Sequence, residues 1–280
     1  MNPDQSDESR PRVLLTGARG NIGSRVIPIL EKTMDLRLTD LVPTDEDPRY
    51  VAGDLTDFSQ VYQLMEGVDA VVHLAMAPMR SREPSPGTAD PSEELAITVN
   101  VGGTYHVLEA ARQRGIQRVV YASSLTIHLG NKHRPLYDSQ TPVEPINFYA
   151  CTKLFGEQLA RVYWRKHGLS TICLRIGQPF PIGNAEFDTL WRDNRRARSN
   201  FVEISDVARG LACGVTTGVP FGVFNLVSAS DNPRFDLSET HRIGYVPRAY
   251  LSTNGLEFFE DGQFPAFPGP VVTHNPDEIA

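Results

Sequence analysis

Val13-Leu14-Leu15-Thr16-Gly17-Ala18-Arg19-Gly20-Asn21-Ile22-Gly23 is the stretch on which the reading of this chain turns. A short apolar run reads as a buried strand, and the periodic pattern over residues 21–31 reads as the helix that follows it. Three glycines lie between or at the start of these elements. Gly17 allows a tight turn, Gly20 lets backbone approach a diphosphate, and Gly23 lets the helix pack closely on the sheet. The helix N-terminus adds free N–H groups and the positive end of its dipole. Gly17, Arg19, Gly20, Asn21, Ile22 and Gly23 are therefore expected to hold the diphosphate of a dinucleotide.

The same alternation continues outward. Strands are expected at 12–16, 35–40, 49–52, 69–75, 118–122 and 171–175, with helices at 21–31, 58–65, 93–114 and 148–167. This is the pattern of βαβ units in a Rossmann-type α/β fold with a doubly wound parallel sheet. Residues 1–11 are polar and expected to be a disordered tail. Residues 12–176 are expected to form the nucleotide-binding domain, and 177–280 a small C-terminal substrate lobe with elements returning to the main body. Within it, helices are expected at 205–215 and 237–243 and a strand at 222–227. The stretch from Ser252 gives no clear assignment.

Asp40 closes the second strand. A carboxylate there accepts hydrogen bonds from ribose hydroxyls and repels a 2′-phosphate, which favours NAD over NADP; Arg19 softens that preference. Asp54-Leu55 follows the third strand, where a carboxylate can meet the adenine amino group. Its other reading, a cap for the helix at Phe58, suits Thr56 and Asp57 better.

The net charge of −7 argues against a nucleic-acid-binding protein. No apolar run reaches the length of a membrane span, and residues 1–12 lack the apolar core of a secretory signal. Three widely spaced cysteines and seven histidines show no disulfide framework and no metal-ligand spacing. A cytoplasmic protein without a metal is expected.

Tyr149-Ala150-Cys151-Thr152-Lys153 puts a phenol and an ammonium on one helix face. A nearby cation favours the phenolate, so Tyr149 is expected to have a lowered pKa and to exchange a proton with a substrate oxygen while nicotinamide exchanges the hydride. Ser124 ends a strand at the side of the sheet where ligands bind, and can hydrogen-bond the reacting oxygen. Cys151 faces away from both.

Taken in order, TGARGNIG, Asp40, Asp54-Leu55, VVHLA (71–75), NVGGT (100–104), VVYASS (119–124), YACTK (149–153) and FVEISDVARG (201–210) resemble the extended short-chain dehydrogenases/reductases, also called the NAD-dependent epimerase/dehydratase family. The resemblance spans about residues 12–210. It implies that Ser124, Tyr149 and Lys153 form a catalytic triad and that Asn100 belongs to the proton relay. It further implies that Tyr149 and Lys153 bind the nicotinamide ribose, that Leu74 and Ala75 flank the cofactor, and that the chain forms a homo-oligomer, a dimer through the helices at 93–114 and 148–167. Leu154, Leu159 and Val162 fit either core or interface.

The substrate is less legible. After Arg175 the chain reads Ile176-Gly177-Gln178-Pro179-Phe180-Pro181, not the Arg-x-x-Asn-Val-Tyr-Gly-Pro of nucleotide-sugar epimerases, and Leu125-Thr126 replace the Asp-Glu pair of 4,6-dehydratases. The short lobe resembles uronate dehydrogenases, which oxidise the anomeric hydroxyl of a free hexuronic acid. Those follow the active-site serine with Asn-His, where Leu125-Thr126 stand here, and their carboxylate-binding arginine falls near Phe187. Thr126, His128, Gln178 and Arg192 are candidate substrate contacts. Arg192, Arg195, Arg196 and Arg198 read either as an anion site or as a solvated loop or subunit contact. His128 and His133 read either as substrate contacts or as exposed loop residues, and Trp191 as a sugar platform or a core anchor. The leading expectation is NAD-dependent hydride transfer on a small sugar, sugar acid or polyol. A nucleotide-sugar epimerase and a non-catalytic NAD-binding regulator remain open beside it.

Overall fold

The computed structural model describes residues 10–42, 47–78, 86–131, 136–138, 141–180, 195–252 and 255–259. Seven strands build the main sheet: β1 (Arg12–Thr16), β2 (Asp35–Asp40), β3 (Tyr50–Ala52), β4 (Ala70–His73), β5 (Arg118–Ser124), β6 (Ser170–Ile176) and β9 (Phe221–Leu226). Their order is β3-β2-β1-β4-β5-β6-β9, and every pair is parallel. This is the expected doubly wound α/β sheet. The direction of winding reverses between β1 and β4, so a crevice opens beyond their C-terminal ends.

Side-chain alternation along each strand explains the two cores. Val13 and Leu15 of β1 join Val72, Val120 and Leu174 under α1 (Gly23–Leu30) and α7 (Ile204–Thr216). Leu14 joins Val71, Val119 and Cys173 under α2 (Phe58–Leu64), α4 (Thr104–Arg114) and α5 (Phe148–His167). Both faces of the sheet are thus covered, as a parallel sheet requires.

Local chemistry sets the helix ends. Asp57 caps α2, accepting from the N–H groups of Ser59 and Gln60. Asn147 caps α5, accepting from Ala150 N at 2.8 Å, and fixes the start of the helix that carries Tyr149. Gly115 and Gly168 end α4 and α5 in the left-handed conformation. One helix departs from expectation. The span at 93–114 starts earlier, as α3 (Pro91–Ala96), and widens into a π-helical segment at Ile97–Gly103 before α4. There Asn100 turns inward, and the missing side chain of Gly103 leaves room for Leu55, whose Cβ would stand 3.1 Å from an added Cβ.

The C-terminal part is more ordered than its pattern suggests. β7 (Gln178–Phe180) pairs in parallel with β8 (Phe201–Glu203). α6 (Arg195–Asn200) precedes β8, and α8 (Ser238–His241) follows β10. β10 (Ala229–Ser230), β11 (Ala249–Ser252) and β12 (Gly255–Phe258) form a third sheet. β12 lies in the stretch from Ser252 that sequence left unassigned, and β11 ends where that stretch begins; both are too short to show a period. The fully buried Asp206 fastens this lobe to α7, accepting from Ser228 Oγ, Arg248 N and Ala249 N. No helix among the described residues is long and apolar enough to cross a membrane. The expected tail at 1–11 lies outside the described residues but for its last two.

One buried ion pair ties α5 to the sheet. Arg175 of β6 meets Glu157 with two N–H···O bonds of 2.9 Å, and Ser123 Oγ of β5 donates to the same carboxylate at 2.6 Å. Both charged side chains are almost fully buried. Removing one partner strands the other charge. Glu157→Gln should therefore lower unfolding free energy by about 3 kcal/mol. Breaking the exposed Arg12–Asp69 pair with Arg12→Ala should leave it essentially unchanged. Urea unfolding of the three proteins checks the contrast.

Candidate active site

A cavity of about 1030 Å³ occupies the crevice. Gly17, Gly20, Gly23, Asp40 and Asp54 line one end, and Ser124, Thr126, Tyr149, Lys153 and Gln178 the other. Leu74 and Ala75 lie between them at the end of β4.

The glycine loop is shaped by what its glycines lack. Gly17 has φ of +72°, and a Cβ there would fall 2.7 Å from Ala75 N and Cα. A Cβ at Gly23 would fall 2.2 Å from the Gly17 carbonyl oxygen, and one at Gly20 would meet the same oxygen at 3.1 Å. No side chain caps α1, and its first turn holds no acid, so neither a capping side chain nor a negative charge competes with an anion at this end. Asp40 accepts from Arg19 N and Leu41 N at 2.9 Å each, which orients the carboxylate and leaves it further lone pairs. The Arg19 guanidinium bonds the Val42 carbonyl at 3.1 Å. Asp54 accepts from Thr56 N and Oγ1 at 2.8 Å; the cap of α2 is Asp57, as the sequence suggested. These residues fit a dinucleotide.

A polar chain runs beneath the loop. Thr104 Oγ1 donates to the Asn100 carbonyl at 2.6 Å, so it accepts from His73 Nε2 at 3.2 Å, and His73 Nδ1 accepts from Thr16 Oγ1 at 2.8 Å. The chain suits neutral His73. Burial, aided by the Lys153 charge, pushes its pKa down to about 3. Asn100 is held by Ala77 N, which donates to Oδ1 at 2.7 Å, and its Nδ2 donates to Thr152 Oγ1 at 3.3 Å. Asn100 thus packs beside the Tyr149 helix, on Thr152.

Tyr149, Lys153 and Glu157 follow one another at i, i+4 and i+8 on one stripe of α5. Lys153 Nζ donates to the Ala122 carbonyl at 2.8 Å and stands 5.6 Å from the Tyr149 ring centre. Burial lowers its pKa to about 8. Ser124 Oγ accepts from Thr126 N at 3.2 Å and Oγ1 at 3.0 Å, and the Ser124 hydroxyl and the Tyr149 phenol line the same end of the cavity. The expected lowering of the Tyr149 pKa is not found in this state. Burial raises it, and the Ser124 hydroxyl opposes this only in part, because the Lys153 ammonium is directed at a backbone carbonyl.

Other expectations are corrected. His128 is not an exposed loop residue. It ends a 3₁₀ turn (Leu125–His128), is 3% exposed, and rests against Tyr137 with ring centres 5.4 Å apart. Arg175 Nη1 approaches its Nε2 at 3.2 Å. Arg can only donate, so His128 is neutral with an accepting Nε2; burial foremost, then the Arg175 charge, lowers its pKa to about 4. Arg198 belongs to no solvated cluster: it is buried and pairs with Asp231 at 3.0 Å. Arg192, Trp191, Phe187 and His133 lie outside the described residues, as do the side chains of Arg195 and Arg196. All three cysteines are unpaired, with Cys151 exposed, and the described residues hold no cluster fit for a metal. The sequence reading missed Glu157, Tyr137 and Arg234. Only Glu157 left a signal, its four-residue step from Lys153.

A glycine-rich strand–helix turn, an acid at the end of β2, and a hydroxyl–phenol–ammonium group across one crevice define a dinucleotide-dependent oxidoreductase site. The model of the NAD dependent epimerase/dehydratase family matches residues 13–189, and the chain belongs to that family. It is an NAD-dependent enzyme. Uronate dehydrogenase of Pseudomonas syringae pv. tomato is 31% identical over 247 residues, 85% of this chain and 82% of that one. The L-arabinose 1-dehydrogenase (NAD(P)(+)) of Haloferax volcanii is 32% identical over 260 residues, 86% of this chain and 98% of that one. A mutant uronate dehydrogenase from Agrobacterium tumefaciens complexed with NAD superimposes with a TM-score of 0.71 at 29% identity, covering 86% of each chain.

His73 makes the fold sensitive to acid. Its folded pKa, about 3, lies below the ordinary 6.5, so unfolding takes up a proton and stability falls as pH drops from 6.5 toward 3. His73→Gln should flatten that decline by about 1.4 kcal/mol per pH unit. Urea unfolding at a series of pH values measures the slope.

Proposed function

We propose that the chain is a dehydrogenase that moves a hydride between NAD and the CH–OH carbon of a small sugar, sugar acid or polyol. The reading rests on the meeting of Ser124, Tyr149 and Lys153 in a cavity continuous with the glycine loop. The sugar and sugar-acid dehydrogenases among its relatives support it. Bound NAD supplies the hydride acceptor. Gly17, Arg19, Gly20, Asn21, Ile22 and Gly23 hold its diphosphate, Asp40 the adenosine ribose, and Asp54-Leu55 the adenine. Leu74 and Ala75 flank it.

In the oxidising direction Tyr149 Oη takes the proton from the substrate hydroxyl as that carbon releases its hydride. Ser124 Oγ bonds the reacting oxygen, and Thr126, which bonds Ser124 Oγ, orients it. Lys153 holds the nicotinamide ribose and favours the phenolate. Asn100 positions α5 through Thr152. Gln178 and His128 line the substrate end. We place the reaction in the cytoplasm, where free thiols such as those of this chain stay reduced.

Purified protein, NAD and a panel of uronates, aldoses and polyols, followed by NADH absorbance, tests the reading. Tyr149→Phe should cut turnover by about 10²- to 10⁴-fold while NAD still binds, and Lys153→Met should weaken NAD binding as well. Turnover that survives Tyr149→Phe sinks the proposal. A protein that holds NAD and interconverts nucleotide sugars without net NADH is an epimerase instead.

The dimer reading has support in exposed apolar residues on the two helices the family resemblance pointed to. Leu95, Ile97 and Tyr105 lie on α3–α4, and Phe155 and Val162 seven residues apart on α5. Sedimentation should show a dimer that Val162→Glu dissociates; a monomeric parent protein refutes it.

A further inference from the structure

The substrate end of the cavity carries a cation that the reaction outlined above does not use. Arg234 lines it together with Thr126, Asn131, Tyr137, Gln178 and Phe235. Every carboxylate in the described lining, Asp40 and Asp54, is at the adenosine end. The acids near Arg234 in the chain, and Asp138 next to its partner Tyr137, are engaged elsewhere. Asp231 pairs with Arg198, Asp236 receives Ser238 N and Oγ, and Asp138 accepts from Thr141 Oγ1. Among the described residues no acid pairs with Arg234.

The guanidinium is also held in place. Arg234 Nη2 donates to Tyr137 Oη at 3.0 Å, and the Tyr137 hydroxyl donates in turn to the Asn131 carbonyl. Its Cζ stands 5.1 Å from the centre of the Tyr137 ring. That ring is buried, stacked on Phe235 at 5.3 Å and 26°, and backed by neutral His128. The backbones pair as well: Tyr137 N donates to Arg234 O at 2.7 Å and Asp236 N to Tyr137 O at 2.8 Å. Of the five guanidinium donors, one is spent on Tyr137. The remaining edge can give two parallel hydrogen bonds to an oxyanion. The other cation at this end, Lys153, donates to Ala122 O.

We infer that Arg234, braced by Tyr137 and Phe235, is the specificity-determining residue of this cavity and selects a sugar bearing an oxyanion, a carboxylate or a phosphate, over its neutral counterpart. The inference rests on the sugar-dehydrogenase reading and adds the charge of the substrate to it. Neither the Asn-His pair that uronate dehydrogenases place after their serine nor an arginine at position 187 is present in this chain, so the charge is read from a different segment.

The test compares kcat/KM for glucuronate and glucose 6-phosphate with that for glucose, in the full-length protein with saturating NAD. The native protein should prefer one of the two anionic sugars by about 10- to 100-fold, the worth of a charged hydrogen-bonded contact; which one wins separates carboxylate from phosphate. Arg234→Met should bring the anionic-to-neutral ratio close to one, mainly through KM, and Arg234→Lys should restore part of it. Equal NAD affinity in all three proteins shows that they are folded. Absence of an anionic preference in the native protein, or a preference that persists in Arg234→Met, overturns the inference and leaves the dehydrogenase reading intact. If no sugar at all reduces NAD, the dehydrogenase reading fails. Arg234 is then judged by thermal stabilisation of the NAD-bound protein by glucuronate or glucose 6-phosphate. That stabilisation is expected in the native protein and lost in Arg234→Met; its absence from the native protein also refutes the assignment.

Discussion

The Glu157 carboxylate, sunk between α5 and the ends of β5 and β6, is the constraint from which the site follows. It accepts from Ser123 on one strand and from Arg175 on the next, so the helix cannot slide or roll without leaving three polar groups unmatched. A buried charge with partners on two strands fixes position more sharply than apolar packing, which tolerates small shifts. One turn back along the helix the same stripe presents Lys153 to the Ala122 carbonyl, and a further turn back it presents Tyr149 to Ser124. Arg175 reaches beyond Glu157 to His128, so the turn after β5 is fixed by the same group of atoms.

Charge is divided along the cavity. Asp40 and Asp54 stand at one end beside the uncapped N-terminus of α1, and Arg234 at the far side. The polar groups in and behind its middle carry little unmatched charge. His73 and His128 are neutral, Arg175 is matched by Glu157, and burial lowers the Lys153 pKa to about 8. In such surroundings a phenol stays protonated until a ligand changes the local field, and the raised pKa of Tyr149 reflects that.

The sheet was legible because parallel strands buried on both faces are written as continuous apolar runs, and α5 because Asn147 and Gly168 mark its ends. The glycine loop could be read because backbone approach leaves its trace in sequence as missing side chains. The π-helical turn at Ile97–Gly103 left no such trace, since its extra residue changes spacing by less than a helical period reveals. His128 looked exposed because a polar, proline-containing stretch follows it within three residues, while the rings that cover it, Tyr137 and Phe235, come from elsewhere. Arg234 was invisible for the same reason: its meaning lies in a tyrosine 97 residues away in the chain. Long-range pairs of this kind have no periodicity to betray them.

The bridge between Tyr137 and Phe235 has a bearing on how such an enzyme can change its diet. The wall at the Arg234 end of the cavity is a joint made by two segments, one following β5 and one following β10, stitched by backbone as well as by rings. Exchanging either loop with that of a relative would break the joint before it altered taste, so new substrates must be reached by paired changes on both sides, or by small edits at Arg234 that leave the seam untouched.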